Sequence, residues 1–253
     1  MNMRVVGWVV AATALVALAT TPAAGQGAIP RAADGKPDLS GIWQVVNTAN
    51  FNLLAHQAEK DVPAGLGVVE GNEIPYLPAA AAKQKANYAN RATADPETKC
   101  FIPGVPRVTY TPFPFQIFQT PQHIAITYEY AHVVRRVWMN SEHPDGEIPW
   151  FIGDSRGRWD GDTLVVDVKH LTDQTWLDRT GNFHSEKLHV VERYTPVNAN
   201  LINYEATLDD PKVFARPWKI SMPIYRRMDP NMRLLEYECY AFGFEQLWLK
   251  PPQ

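Results

Sequence analysis

From Gln116 onward the chain is patterned as short β segments. Valine, isoleucine, threonine and aromatic side chains dominate, and turn signals recur at hairpin spacing. Asp160-Gly161 sits between segments 150–159 and 163–168, a strong two-residue hairpin signal. Asn198-Ala199-Asn200 parts 187–195 from 201–208, and Asp229-Pro230-Asn231 parts 218–227 from 232–242. Asp145-Gly146 marks a further turn. An earlier strand opens at Pro37 and runs to about Val46. Pro103, Pro106, Pro112 and Pro114 break 101–115 into extended pieces suited to an edge or a barrel mouth. Segment 47–74 holds no sustained period and reads as loop. One helix is predicted, over 78–91, with Pro78 at its first position and the alanines at 79–82, Lys83, Gln84 and Lys85 as strong formers. Consecutive hairpin-linked strands give a mainly antiparallel sheet, and about eight of them need closure or a second layer to protect their edges. The expectation is a mainly β barrel with one appended helix; a two-sheet sandwich is the second choice.

Strand alternation assigns faces. Residues 123–139 read as one long strand bent near 129–131. Beyond the bend His132, Val134, Arg136 and Trp138 share a face, and Val133, Arg135, Val137 and Met139 share the other. Without the bend, Tyr128 and Tyr130 join the His132 face. In 184–194 the residues His184, Glu186, Leu188, Val190, Glu192 and Tyr194 fall on one side.

Composition adds a compartment. A short basic start (1–4) leads into an apolar run over 5–19, and Ala23-Ala24-Gly25 follows the small-x-small cleavage rule. The expectation is a signal peptide over 1–25 and a periplasmic or secreted protein with no membrane span after cleavage. That location takes the chain away from ATP, nicotinamide cofactors and chromosomal nucleic acid, and no cofactor is expected. A net charge of −3 without a basic stripe also speaks against nucleic-acid binding. The remaining stretch, 26–253, is long enough for a single β-rich domain with a helical insertion near 78–91. Its two cysteines, Cys100 and Cys239, suggest one bridge in an oxidising compartment, worth about 4–5 kcal/mol by loop closure.

Gly41-Ile42-Trp43 resembles the Gly-x-Trp signature of lipocalin-like barrels, where the Trp closes one barrel end. The stretches PDLSGIW (37–43), DPETKCFIPGVPR (95–107), RGRWDGDTLVVD (156–167) and HSEKLHVVERY (184–194) resemble an exported bacterial protein family of unknown function. That resemblance implies export and carries no activity.

Candidate chemistry centres on the two faces described above. The face of His132, Arg136 and Trp138, with Tyr128 and Tyr130, offers an imidazole, a guanidinium and aromatic walls to a small aromatic or anionic ligand. The other reading of this face is a solvated polar surface with Val133, Val137 and Met139 in the core. His184 beside Glu186 is the form a general base takes, and Arg136 could hold a developing oxyanion. The loop 173–182 brings Trp176, Asp178 and Arg179 to a pocket rim, or simply anchors a turn. His184 and His189 are five residues apart and point away from each other on a strand, so no metal site is expected. Gly153-Asp154-Ser155-Arg156-Gly157 fits Gly-x-Ser-x-Gly as a string, but a hairpin follows where a nucleophile elbow needs a helix. Asp209 and Asp210 before Pro211 read as a strand end. Two functions compete: a barrel that binds a small apolar or aromatic, possibly anionic, molecule, and a cofactor-independent lyase, isomerase or hydrolase using His132, Arg136, His184 and Glu186. A structural envelope role is the third.

Overall fold

The computed structural model describes residues 28–59, 62–146 and 148–239; residues 1–25, expected to be a signal peptide, lie outside them. Nine strands follow in chain order around a closed barrel. They are β1 (Gly41–Val45), β2 (Phe115–Gln119), β3 (His123–Tyr128), β4 (Val134–Met139), β5 (Asp154–Asp160), β6 (Thr163–Lys169), β7 (His189–Asn198), β8 (Leu201–Asp209) and β9 (Trp218–Arg226). β9 closes the ring on β1, with Trp43 opposite Arg226.

All neighbours run antiparallel except β4 and β5, which are parallel. Parity requires one such contact. If every neighbour were antiparallel, directions would alternate around the ring and the strand number would be even. Nine strands therefore force a parallel pair, and residues 140–153 supply its crossover. Hairpins link β2 to β3, β3 to β4, β5 to β6 and β7 to β8, while longer connections join β1 to β2, β6 to β7 and β8 to β9, all between antiparallel neighbours.

Two expected strands are corrected. Residues 123–139 are not one bent strand but the hairpin β3–β4. Ala131 and His132 both have φ 51°, and Val133 N–H donates to Tyr130 O at 3.3 Å, the geometry of a two-residue primed turn. Neither residue is a glycine or asparagine, so the turn carries no usual sequence signal. The strand expected over 232–242 is absent from its described part, which makes only a parallel bridge from Tyr237 to Tyr130. The helix divides at Asn90 into α1 (Pro78–Ala89) and α2 (Arg91–Ala94).

Alternation fills the barrel. β4 buries Arg135, Val137 and Met139, and β7 buries Val190, Glu192 and Tyr194. Arg135 pairs with Glu192 inside, Ser155 Oγ accepts from Arg135 Nε at 2.9 Å, and Tyr194 and Tyr204 both donate to Glu192 Oε1. At one end Trp43 lies beneath the Arg226 guanidinium, 4.2 Å from its ring centre, and donates to Leu39 O at 2.8 Å. Gly41 is required there. Its φ is 135°, and a Cβ would meet Arg226 Nη1 at 2.0 Å.

The long connection from β1 to β2 carries both helices. It runs along β9 through the Val69–Ile220 bridge, and Gln84 and Asn87 of α1 donate to Thr180 O and Gly181 O. Cys100 and Cys239 form the disulfide, with Cα atoms 5.5 Å apart. No helix among the described residues is long and apolar enough to cross a membrane.

Candidate ligand cleft

A cleft of about 580 Å³ opens outside the barrel, between the β1–β2 connection, α1–α2, the loop after β6, the β3–β4 turn and the C-terminal segment. That volume falls in the usual range for small-molecule sites. Its aromatic lining is Phe51, Tyr88, Tyr130 and Tyr237.

The cleft rests on a buried charge network. Asp95 caps the 3-10 turn Pro96–Lys99 by accepting from Glu97 N–H at 2.9 Å, which fixes both carboxylates on one short segment. Arg107, buried, reaches Asp95 at 3.2 Å, Glu97 Oε2 at 2.5 Å and Asn50 Oδ1 at 2.9 Å. Glu97 also receives Arg179 Nε and Nη2, each at 2.9 Å. Burial alone would raise the Glu97 carboxyl; hydrogen bonds from Arg179 and the charges of Arg107 and Arg179 overrule it and hold it below the usual range. The two guanidiniums pair with Asp95 and Glu97 and fix the geometry at the base of the cleft.

Asp95, Glu97 and Arg179 of this network line the cleft, and Arg179 is its exposed member. Its side chain is 44% exposed and its guanidinium lies 4.9 Å from the Phe51 ring centre. Glu97 occupies one edge, while Nη1 has no hydrogen bond among the described residues. The loop holds it in place through Asp178, which is fully buried. Asp178 accepts from Leu53 N–H at 2.9 Å, Asn182 Nδ2 at 2.6 Å and Thr180 N–H at 2.9 Å. Burial pushes the Asp178 carboxyl up in spite of these donors.

Tyr130 forms another wall. Its ring stacks on Tyr237 at 5.2 Å and tilts against Phe113 at 5.5 Å. It is 1% exposed, and its hydroxyl has no hydrogen-bond partner among the described residues. Burial, then the Glu97 charge, raises its pKa, so it stays a neutral phenol. The C-terminal segment is fastened over this wall. Leu235 N–H donates to Glu129 Oε2 at 2.7 Å, Tyr237 N–H to His132 Nε2 at 3.3 Å, and His132 Nδ1 meets Glu238 at 3.0 Å. The opposite rim carries Arg91 over the Tyr88 ring at 4.0 Å and Tyr88 donating to Glu59 at 2.9 Å. His56 has both ring nitrogens against backbone carbonyls, Leu54 O at 2.7 Å and Pro63 O at 2.8 Å, and is not placed to move a proton in the cleft.

The structure disperses the residues singled out in the sequence. Tyr130 lines the cleft, and Asp178 and Trp176 lie beneath it. Trp176 is buried, and its carbonyl lies 3.5 Å from Arg107. Tyr128 is inside the barrel. Arg136 and Trp138 are on the outer face of β4, the guanidinium 4.9 Å from the indole. His132 serves the C-terminal segment. His184 and Glu186 are not neighbours, because β7 begins only at His189 and the alternation does not extend to them. His184 is buried on Thr175 Oγ1 at 2.8 Å and Ser185 O at 2.9 Å, and burial lowers its pKa. Glu186 is exposed and pairs with Lys212 at 2.5 Å. Ser155 faces the interior at Arg135, and Asp210 accepts from Ser185 rather than joining Asp209.

Sequence reasoning missed Phe51, Tyr88, Asp95, Glu97 and Arg107 as site residues. The last three lie in the motif DPETKCFIPGVPR, where two acids and an arginine across a proline-broken segment were the available signal. Among the described residues no group of three or more His, Cys, Asp or Glu is placed to hold a metal ion. No family model, curated protein or solved structure matches this chain.

Proposed function

We propose that this protein binds a small aromatic molecule bearing an anionic group in the Arg179 cleft. The carrying observation is Arg179. A guanidinium is held on one edge by a buried carboxylate, stacked on Phe51, and left with a hydrogen-bonding nitrogen toward a cleft walled by tyrosines. The Tyr130 hydroxyl, without a partner among the described residues, supports the same reading, because a buried hydroxyl left unpaired costs about 1–3 kcal/mol and a ligand acceptor would relieve it. Export to the periplasm or beyond belongs to this proposal, supported by the disulfide, as does membership of the exported family that the four motifs resemble. The acid–base enzyme reading has less support, since its His184 and Glu186 are apart and His56 is engaged at both nitrogens.

Calorimetric titration tests it with benzoate, phenylacetate and indole-3-acetate against their uncharged amides. The carboxylates should bind and the amides should bind more weakly. Arg179→Gln should reduce carboxylate affinity about tenfold, or roughly 1.4 kcal/mol, read well below the melting temperature of the variant, which should itself fall because Glu97 loses one of its two cationic partners. Equal binding of acids and amides, or no binding of either, would sink the reading.

A further inference from the structure

The parallel junction required by the nine-strand ring leaves a seam. β4 and β5 pair through only three residue pairs, Val137 with Ser155, Trp138 with Arg156 and Met139 with Gly157. Ahead of them the strands part around a second cleft of about 430 Å³, lined among others by Val134, Arg136, Trp138, Trp150 and Phe151, and by Asp154, whose carboxylate is already held by Arg156 and His143. No backbone hydrogen bond among the described residues joins Val134 or Arg136 to 149–153. The ladder fixes which groups point there. Tyr128 N–H donates to Val133 O, and hydrogen-bonded pairs alternate along an antiparallel ladder. Arg135 therefore bonds toward β3, while the N–H and C=O of Val134 and the N–H of Arg136 turn to the seam.

The side chains around these groups are exposed. Val134 is 65% exposed, Trp138 40% and Trp150 43%. Arg136 leans on Trp138 and has no carboxylate partner among the described residues. A strand edge with unpaired donors and acceptors is a template for another extended chain.

We propose that this seam docks an extended acidic peptide. Its main chain pairs with Val134 and Arg136, an apolar side chain enters between the two indoles, and a carboxylate meets Arg136. Strand spacing of donor and acceptor favours a peptide over a sugar, whose hydroxyls have no such register. The uncompensated guanidinium selects acidic sequences. This site is separate from the Arg179 cleft, and its success or failure leaves that proposal untouched.

The test uses the full chain, labelled with ¹⁵N, and an acetylated, amidated hexapeptide Val-Ser-Glu-Ser-Val-Ser, in which valine and glutamate lie two residues apart and so share the face that Arg136 and Trp138 occupy. Two twins carry N-methyl groups on alternate amides, one twin for each edge of the peptide. The parent peptide should slow hydrogen exchange at the Val134 and Arg136 amides and quench tryptophan fluorescence. One twin should bind at least tenfold more weakly and the other like the parent. Arg136→Glu should also weaken the parent at least tenfold, with its melting temperature unchanged. Equal binding of both twins would show that no main-chain pairing occurs. Absence of binding, shifts confined to the Arg179 cleft, or a second copy of the chain seated on the seam in sedimentation would each overturn the proposal.

Discussion

Arg135 and Arg107 are both buried and both neutralised by carboxylates, and each locks distant parts of the chain together. Arg135 joins β4 to β7 through Glu192, and Arg107 joins the turn Pro96–Lys99 to Asn50 and the loop carrying Arg179. A lone buried charge is far more costly than the pair, so breaking one side is the sensitive test. Glu192→Gln should lower stability by about 3 kcal/mol or more, read from urea unfolding. His184→Ala should likewise lower stability, by about 1–3 kcal/mol, because it orphans Thr175 and empties a buried site. As a catalytic histidine it would have left the melting temperature alone; a thermal scan separates the two roles. At this scale the sequence showed which side of a strand a residue takes. Val137, Met139, Val190 and Tyr194 lie inward, as alternation requires. It did not show partners 57 residues apart, such as Arg135 and Glu192. Nor could parity place His184, which lies outside any strand and is fixed by Thr175 and Ser185.

Among elements, the C-terminal segment depends most on a single bond. The Cys100–Cys239 bridge spans 139 residues and ties Tyr237 into the cleft wall. On the chain-entropy model, closing a loop of that length is worth about 5 kcal/mol. Reduction should free the segment, speed hydrogen exchange at Leu235 and Tyr237, and weaken binding in the Arg179 cleft while the barrel strands stay protected. Unchanged exchange at Leu235 would show that Glu129 and His132 hold the segment without the bridge. The bridge was legible from two cysteines in a chain whose start reads as an export signal. The β3–β4 turn was not, because Ala131 and His132 adopt a left-handed backbone that sequence patterns reserve for glycine and asparagine. The helix was legible from Pro78 and its alanines, while its break at Asn90 was not.

For the whole molecule, the crossover 140–153 is pinned to the outside of the barrel by His143. Its ring nitrogens meet Asp154 and Asp167, each at 2.7 Å, Asp167 meets His189 at 2.8 Å, and Asp154 is also held by Arg156. Burial would raise both aspartates, but hydrogen bonds from Arg156 and His143 lower Asp154, and those from His189 and His143 take Asp167 down to about 2. A carboxylate whose pKa is lower folded than unfolded contributes stability above its unfolded value, near 3.9, and loses it as pH falls through the folded value. The melting temperature should therefore drop between about pH 4 and pH 2, and Asp167→Asn should flatten that drop in thermal scans. The closed barrel was legible as a class from strand count and turn spacing. Its odd strand number was not, since 123–139 hid a hairpin and 232–242 suggested a strand that is missing from its described part.

The odd ring also has a place where it can be cut. β1 and β9, the first and last strands, are antiparallel neighbours joined at Trp43 and Arg226. A short linker from the end of β9 to the start of β1 would need no new crossover. New chain ends opened within the exposed stretch after His143 would turn the one parallel joint into the place where the polypeptide starts and stops. Such a circular permutant would keep β4 and β5 as parallel neighbours, as the odd ring requires, but would no longer connect them through a crossover. It should refold in stopped-flow at a rate close to that of the parent, because the cut exchanges one three-pair closure between distant strands, β1 with β9, for another, β4 with β5.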